Sequence, residues 1–394
     1  MKRISVLGAT GSIGKSSLDI ISRDKNNFDI VLLSAHSNCG ELENLSRQFP
    51  SAVCLLTGEK GGKEKLLSAI ADANADITIN GITGSAGLEP SLAVIESGSD
   101  LALANKETIV MAGQLVLRRA KEKNVNIIPV DSEHSAVFHL LYREFLNSRI
   151  SQGFTKEEYC RGILAEENVR SYFNSLVNEI ILTASGGPFR KLSKPEMENV
   201  TAEDALVHPT WKMGPKITID SASMANKGLE IIEANALFNL PPEKIKVVIH
   251  PQSIVHSMIR LCNGVIYAQA SKPDMRHPIH DALYWPKTMP SALDSLNFDS
   301  LVLEFEKPDM EKFPMLKLAW EAARYGALFP CAYNAANEEA AAAFLNRRIG
   351  FLDIPKITEY VLEADWSCEH INLDAVLKAD TEARQKAESY IKKL

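Results

Sequence analysis

The 394-residue sequence predicts an α/β protein with an N-terminal parallel sheet, an α+β middle and a C-terminal helical bundle. Three observations predict it. Over the first ~130 residues, short apolar runs alternate with helix-periodic segments, the pattern of a parallel α/β sheet. From Ser132 to Trp285 several strand-like runs follow one another, and Asn263-Gly264 between two of them is a strong hairpin signal. After Phe313 the spacing is helical and rich in Ala, Leu, Glu and Lys.

Taken in order, Ile4 to Leu7 is a strand, Ser16 to Ser22 opens a helix, Asp29 to Ser34 is a second strand and Glu41 to Phe49 a second helix. Asp76 to Asn80 and Leu101 to Ala104 are strands around a helix near Pro90 to Ser97, and Ile127 to Val130 closes a first domain, 1–131. In a second domain, 132–285, the runs Glu179 to Thr183, Lys216 to Asp220, Lys246 to His250, Ile254 to Leu261 and Val265 to Ala270 are expected as strands, with a polar helical excursion at Leu146 to Asn178. Residues 286–312 hold Pro286, Pro290 and Pro308 and few periodic apolar positions, which predicts a linker. Met315 to Tyr325, Ala332 to Arg347, Pro355 to Ala364 and Leu373 to Lys392 build a helical domain, 313–394.

Composition narrows the function classes. With 45% hydrophobic and 24% charged residues the chain has the make-up of a soluble globular protein. A net charge of -7 argues against nucleic acid as the main partner. The six cysteines are irregularly spaced with no CxxC pair, as expected of reduced thiols in the cytoplasm. The apolar run after the basic start, Met1-Lys2-Arg3, is too short for a signal peptide, and no window approaches a membrane span of about 18 apolar residues.

Five stretches carry chemistry. GATGSIG, Gly8 to Gly14, lies between the first strand and the first helix, where glycines let a pyrophosphate approach backbone amides; this makes the first domain Rossmann-like. Its plain alternative is a tight strand–helix turn. The second strand ends in Ser34-Ala35-His36-Ser37-Asn38, with no acid to hold a ribose 2′-hydroxyl, which favours NADP over NAD. In LANKET, Asn105, Lys106 and Glu107 follow a strand, where open α/β sheets bind ligands; a solvated helix start is the alternative. In VDSEH, extended chain would point Asp131 and Glu133 to one side, a repulsion that stability alone seldom requires. In SMANKGLEIIEA, Asn226, Lys227 and Glu230 share a helical face, either a surface ion pair or, with Ser221 and Ser223, a donor set for a phosphate.

Three further stretches are less specific. TASGGPF presents Ser185 on a loop or merely a turn. HPTWKMG carries Trp211 on a lid or as an anchor to the core. His250 and His256 flank PQS on strands, where a histidine is more often structural than catalytic.

Together and in order, GATGSIG, LANKE, VDSEH, SGGPF, HPTWKMG, SASMANKGLE, HPQSIVHSM, PDMR and NAANE resemble the 1-deoxy-D-xylulose 5-phosphate reductoisomerase family, from Lys2 to the C-terminal helices. VDSEH and NKGLE are the most specific parts. The resemblance implies an NADPH domain, a central catalytic domain that also forms a homodimer, and a helical C-terminal domain. It implies conversion of 1-deoxy-D-xylulose 5-phosphate to 2-C-methyl-D-erythritol 4-phosphate, by skeletal rearrangement and then reduction by NADPH. It implies Mg²⁺, Mn²⁺ or Co²⁺ on Asp131, Glu133 and Glu230, a set of hard oxygen donors suited to such ions.

By the same resemblance Ser132 contacts the substrate oxygens, and Lys106, Glu133 and His208 are catalytic. Ser185, Ser221, Asn226 and Lys227 hold the substrate phosphate with His208, while Trp211 and Met213 lie on a closing loop. His134 and His256 are secondary candidates, and Thr10, Gly11, Ser12, Ile13, Asn38, Asn105, Glu107 and Gly214 bind NADPH. Two departures stand out: Ser37 occupies a position where some members carry Lys, and Leu146 to Asn178 is longer than usual. An unrelated NAD(P)-dependent dehydrogenase or sugar-phosphate lyase would not need the three carboxylates. A nucleotide-sensing module would lack a ligand or phosphate group.

Overall fold

The first strand, β1 (Lys2–Leu7), buries Ile4, Ser5, Val6 and Leu7, so both its faces are covered, as a central parallel strand requires. It is followed by α1 (Ser12–Arg23), β2 (Phe28–Ala35), α2 (Cys39–Gln48), β3 (Val53–Leu56), α3 (Gly62–Asp72), β4 (Ile77–Asn80), α4 (Leu88–Glu96), β5 (Asp100–Leu103), α5 (Lys106–Lys123) and β6 (Ile127–Pro129). The six strands are parallel in the order β3-β2-β1-β4-β5-β6. The order reverses between β1 and β4, the switch point where such sheets bind ligands, and GATGSIG leaves β1 there. The expected elements of this part are present to within a few residues. β3 and α3 are not among the expected elements; β3 is an edge strand of four residues whose Val53 is 53% exposed.

The computed structural model describes residues 1–150, 163–211 and 213–394, with the backbone alone for 146–150. After β6 come α6 (Ser132–Ile150), α7 (Glu167–Leu176), β7 (Val177–Ala184), α8 (Ala202–Ala205), α9 (Pro215–Ala222) and α10 (Ala225–Phe238). Then follow β8 (Ile245–Ile249), β9 (Val255–Leu261), β10 (Ile266–Ala270), α11 (Arg276–Tyr284), α12 (Pro314–Tyr325), α13 (Phe329–Leu345), α14 (Asp353–Leu362) and α15 (Leu373–Ile391). A second sheet runs β10-β9-β7-β8, antiparallel except for β7 beside β8. Its β9–β10 hairpin turns at Gly264, whose φ of 84° only glycine adopts readily.

The chain divides into two units, Met1–Thr108 with Val116–Tyr172 and Asp274–Asp294, and Ile109–Leu115 with Phe173–Pro273 and Ser295–Leu394. These lines do not coincide with boundaries at 131, 285 and 312. In the first unit α11 returns to α1: Arg276 pairs with Asp19 at 3.1 Å, Tyr284 donates to Asp24, and Lys2 reaches the carbonyls of Leu283 and Trp285 at 2.9 and 3.1 Å. In the second unit, part of the expected linker lies along the sheet, with Glu306 bridged to Ile249 and His250 bonded to the Glu304 carbonyl.

Three local expectations are corrected. Lys216 to Asp220 is helical, not a strand. Its alternation of polar and apolar residues imitates period two, but Gly214 precedes it, Pro215 sits in its first turn, and Lys216 pairs with Asp220 one turn on at 2.8 Å. In VDSEH the strand stops at Pro129, and Glu133 lies in the first turn of α6. Of the expected helical excursion at Leu146 to Asn178, 146–150 and Glu167–Leu176 are helical as expected, Asn178 is instead in β7, and 151–162 lie outside the described residues.

Candidate functional site

In the first unit, the loop from β1 to α1 is shaped for a close backbone approach. Gly8 has φ 79°, and a Cβ there would sit 2.9 Å from the Gly81 carbonyl oxygen. Gly14 packs on the Ala9 backbone, where a Cβ would come within 2.5 Å. The α1 cap, Gly11, makes no side-chain hydrogen bond to the first turn, so no side chain of the cap competes for the amides beside Thr10, Gly11, Ser12 and Ile13. These features fit a dinucleotide pyrophosphate. Asn38 caps α2 by accepting from the Glu41 amide at 3.2 Å. Asn105 caps α5 and donates to the Ile82 and Gly84 carbonyls at 2.6 and 2.8 Å, so it fixes the loop after β4, and its amide also reaches Glu107.

At the ends of β5 and β6 the first unit gathers charge. Lys106 opens α5, and its ammonium lies 2.5 Å from the Asp131 carboxylate, with both side chains largely buried. Asp131 also accepts from the Glu133 amide at 3.2 Å, at the start of α6, and faces the buried His134 ring at 3.3 Å. Burial alone would raise the Asp131 pKa, but Lys106 and His134 outweigh it and hold the carboxyl well below its usual range. Ser132 donates to Glu133. Asp131 and Glu133 thus present hard, anionic oxygens of the kind that suit magnesium or manganese.

In the second unit, β7 runs into Ser185-Gly186-Gly187. Both glycines have positive φ, and a Cβ on Gly187 would meet the Ser221 carbonyl at 2.6 Å, so this loop lies directly on the end of α9. His208 joins the two: its Nε2 is 3.1 Å from Ser185 Oγ and 3.1 Å from Ser221 Oγ. Its Nδ1 accepts from the Thr210 and Trp211 amides at 3.1 and 2.9 Å, so the ring is neutral with its proton on Nε2. Burial lowers the His208 pKa, which agrees. The single Nε2–H is then shared between the two serine oxygens, and the hydroxyl that accepts it keeps its own hydrogen to donate to an anion.

On α10, Lys227 pairs with Glu230, and Asn226 donates to Glu230 at 2.6 Å. Lys227 and Glu230 are buried, so the surface ion pair of the sequence reading is set aside. Asn226 Oδ1 is buried without a hydrogen-bond partner among the described residues, an acceptor that fits a ligand hydroxyl. Trp211 and Met213 are half-buried, and Gly214 caps α9.

The structure therefore joins Lys106, Asp131 and His134 in one unit, and Ser185, His208 and Ser221, then Asn226, Lys227 and Glu230, in the other. The histidines after β8 and on β9 separate. His250 Nε2 accepts from the Ile254 and Val255 amides at 3.1 Å and Nδ1 faces the Glu304 carbonyl, so it is a structural clamp. His256 faces Ser271 Oγ at 2.8 Å. Sequence reasoning missed Asp220, buried between Lys216 and Asn337 (2.8 Å each), which fixes α9 to α13. The i,i+4 spacing of Lys216 and Asp220 was the available signal.

The chain matches the 1-deoxy-D-xylulose 5-phosphate reductoisomerase model at 4–61 and 57–113, that enzyme's C-terminal domain model at 127–238, and the DXP reductoisomerase C-terminal domain model at 270–386. A curated 1-deoxy-D-xylulose 5-phosphate reductoisomerase of Treponema denticola is 46% identical over 391 residues, 97% of this chain and 95% of that protein. One from Pelodictyon phaeoclathratiforme is 44% identical over 409 residues, 99% of this chain and 100% of that protein. Among solved structures, the Zymomonas mobilis enzyme in complex with NADPH has 39% identity and a TM-score of 0.84, covering 100% of both chains. A DOX-P reductoisomerase in complex with NADPH, fosmidomycin and magnesium has 35% identity and a TM-score of 0.87, covering 100% of this chain and 98% of that one.

Proposed function

The chain belongs to the 1-deoxy-D-xylulose 5-phosphate reductoisomerase family, and from that premise we propose which of its side chains perform each part of the reaction. The protein is an NADPH- and divalent-metal-dependent enzyme that converts 1-deoxy-D-xylulose 5-phosphate to 2-C-methyl-D-erythritol 4-phosphate for isoprenoid precursors.

In our reading Asp131, Glu133 and Glu230 hold the cation, which polarises the substrate ketone and neighbouring hydroxyl as a Lewis acid. Lys106 and Ser132 contact the same substrate oxygens, the ammonium supporting negative charge as it develops. Ser185, Ser221, Asn226 and Lys227 hold the phosphate, with neutral His208 directing the serine hydroxyls. Binding energy from that unreactive phosphate positions the reacting carbons. Trp211 and Met213 close over the substrate and exclude water. The loop Thr10–Ile13, with Asn38, Asn105, Glu107 and Gly214, holds NADPH, the hydride source.

The observation that carries this reading is Asp131, a largely buried carboxylate held well below its usual pKa beside Lys106 at the sheet's ligand-binding end. NADPH oxidation with 1-deoxy-D-xylulose 5-phosphate, before and after EDTA and with Mg²⁺ or Mn²⁺ restored, tests it. Turnover indifferent to EDTA would defeat the metal assignment.

A homodimer is part of the proposal. Val265, Ile266 and Tyr267 expose apolar surface on and beside β10, an edge strand that a second copy would cover. Sedimentation velocity tests it. We assign the enzyme to the cytoplasm, where its free cysteines Cys39, Cys54, Cys262, Cys331 and Cys368 stay reduced. Among the described residues no helix is long and apolar enough to cross a membrane.

A further inference from the structure

Ser221 stands in the last turn of α9, with its Oγ 3.1 Å from His208 Nε2. Its carbonyl lies against the Gly187 backbone, where a Cβ would come within 2.6 Å. The preceding residue, Asp220, leaves the helix about 100° away around the axis and is buried. Its carboxylate is held from two sides, by Lys216 Nζ at 2.8 Å and by Asn337 Nδ2 at 2.8 Å. The Lys216 pair lies within α9 and cannot orient that helix. The Asn337 bond ties α9 to α13. Cα atoms lie about 2.3 Å from a helix axis, so turning α9 by about 20° carries Ser221 roughly 0.8 Å at the backbone and further at Oγ. A 3.1 Å hydrogen bond does not survive such a shift.

Stability alone does not explain Asn337. The residue is fully buried, and its Oδ1 has no hydrogen-bond partner among the described residues. The amide cannot turn round to satisfy it, because a carboxylate only accepts and Nδ2 must face Asp220. The gain from a hydrogen bond to a charged group is of the same size as the cost of an unmet buried carbonyl, so the fold gains little from this side chain. Tyr333, one turn earlier on the same face of α13, lies under α10, where a Cβ on Gly228 would overlap its hydroxyl. One face of α13 therefore supports both helices of the phosphate set: α9 with Ser221 through Asn337, and α10 with Asn226 and Lys227 through Tyr333.

We propose that Asn337 is a positioning residue for the substrate phosphate: through Asp220 it sets the rotation of α9 at which Ser221 Oγ meets both His208 and the phosphate. The inference rests on Ser185, His208 and Ser221 forming the phosphate site. It gives the NAANE stretch of α13, Asn334 to Glu338, a part in substrate binding at one remove.

Steady-state kinetics of the full chain test it, with Ser221→Ala as the reference. Ser221→Ala should raise the KM for 1-deoxy-D-xylulose 5-phosphate by about tenfold, a hydrogen bond to a charged group being worth roughly that factor. Asn337→Leu, of similar branched shape but without the donor, should raise it by up to the same factor and leave the KM for NADPH unchanged. Because both act through one hydroxyl, Asn337→Leu should add little in a Ser221→Ala background. If Asn337→Leu does not fold, Asn337→Ser, shorter and still polar, carries the same expectations. Losses that simply multiply in the double variant overturn the proposal, as does a matching rise in the KM for NADPH; either would make Asn337 a support of the fold only. If Ser221→Ala itself leaves the sugar-phosphate KM unchanged, the phosphate reading falls and the proposal with it. If Ser221→Ala raises that KM and the Asn337 variant does not, the proposal alone falls.

Discussion

Gly228→Ala sets two physical expectations against each other. The residue lies inside α10, between Lys227 and Glu230, and helix propensity alone predicts that alanine stabilises by about 1 kcal/mol. The surroundings predict the reverse. A Cβ at Gly228 would overlap the Tyr333 hydroxyl and stand 3.0 Å from Ala319 Cβ. Tyr333 is fully buried on α13, and its hydroxyl donates to the Met315 carbonyl at 3.1 Å. Making room means pushing that hydroxyl off its acceptor. Overpacking costs about 1–3 kcal/mol, and an unmet buried polar group about 1–3 kcal/mol more. After subtracting the propensity gain, Gly228→Ala should lose about 1–5 kcal/mol. Urea denaturation followed by circular dichroism reads this as a lower midpoint. Tyr333→Phe removes the colliding oxygen, leaving the ring carbon 3.2 Å from the new Cβ, so the double variant should lose less than the sum of the singles. A Gly228→Ala midpoint at or above wild type would refute the reasoning, as would strict additivity with Tyr333→Phe.

Glu230→Gln should abolish metal-dependent turnover while NADPH binding, followed by cofactor fluorescence, stays largely intact; equal turnover would sink the metal assignment. Lys106→Met leaves Asp131 without its lysine in a largely buried position, so the urea midpoint at pH 7 should fall by the equivalent of about 3–5 kcal/mol. An unchanged midpoint would mean that Asp131 is adequately solvated. For His208, NMR of the imidazole nitrogens should show the Nε2–H tautomer and titration below 6.5. Because its folded pKa is depressed, the unfolded chain binds the proton first as pH falls. Its stabilising contribution is present above about 6.5, the unfolded value, and lost as pH falls through the lower folded value. A titration at or above 6.5 would contradict the neutral ring.

Much of the fold was legible because burial leaves a periodic trace. Parallel strands covered on both faces, such as 101–103 and Ile127–Pro129, read as apolar runs, and Asn263-Gly264 announced a hairpin whose Gly264 adopts φ 84°. The misreadings arose where local pattern and tertiary demand diverged. β3 is an edge strand with little to bury. Lys216 to Asp220 alternates like a strand, yet its polar side chains serve an ion pair along a helix and a bond from Asn337, more than a hundred residues away. No local window contains that partner. Likewise, nothing near Asp19 or Asp24 indicates that Arg276 and Tyr284 will return to α1.

The VDSEH stretch shows how site and fold are bound together. Sequence alone places Asp131 and Glu133 on one side of a strand and leaves their repulsion unexplained. In the folded unit the strand ends two residues before Asp131, the Glu133 amide donates back to Asp131, and each carboxylate has its own partner: Lys106 and His134 for Asp131, Ser132 for Glu133. Glu230 is treated alike by Lys227 and Asn226 in the other unit. The acids are thus balanced one at a time within the protein, so the anionic form of Asp131 does not depend on a bound cation. For Asp131 the charge of Lys106, followed by the hydrogen bond and charge of His134, outweighs the desolvation of its burial. The two lysines that balance these acids, Lys106 and Lys227, are also those assigned to substrate oxygens and phosphate. Folding and chemistry therefore draw on the same charges, and replacing either lysine should damage both.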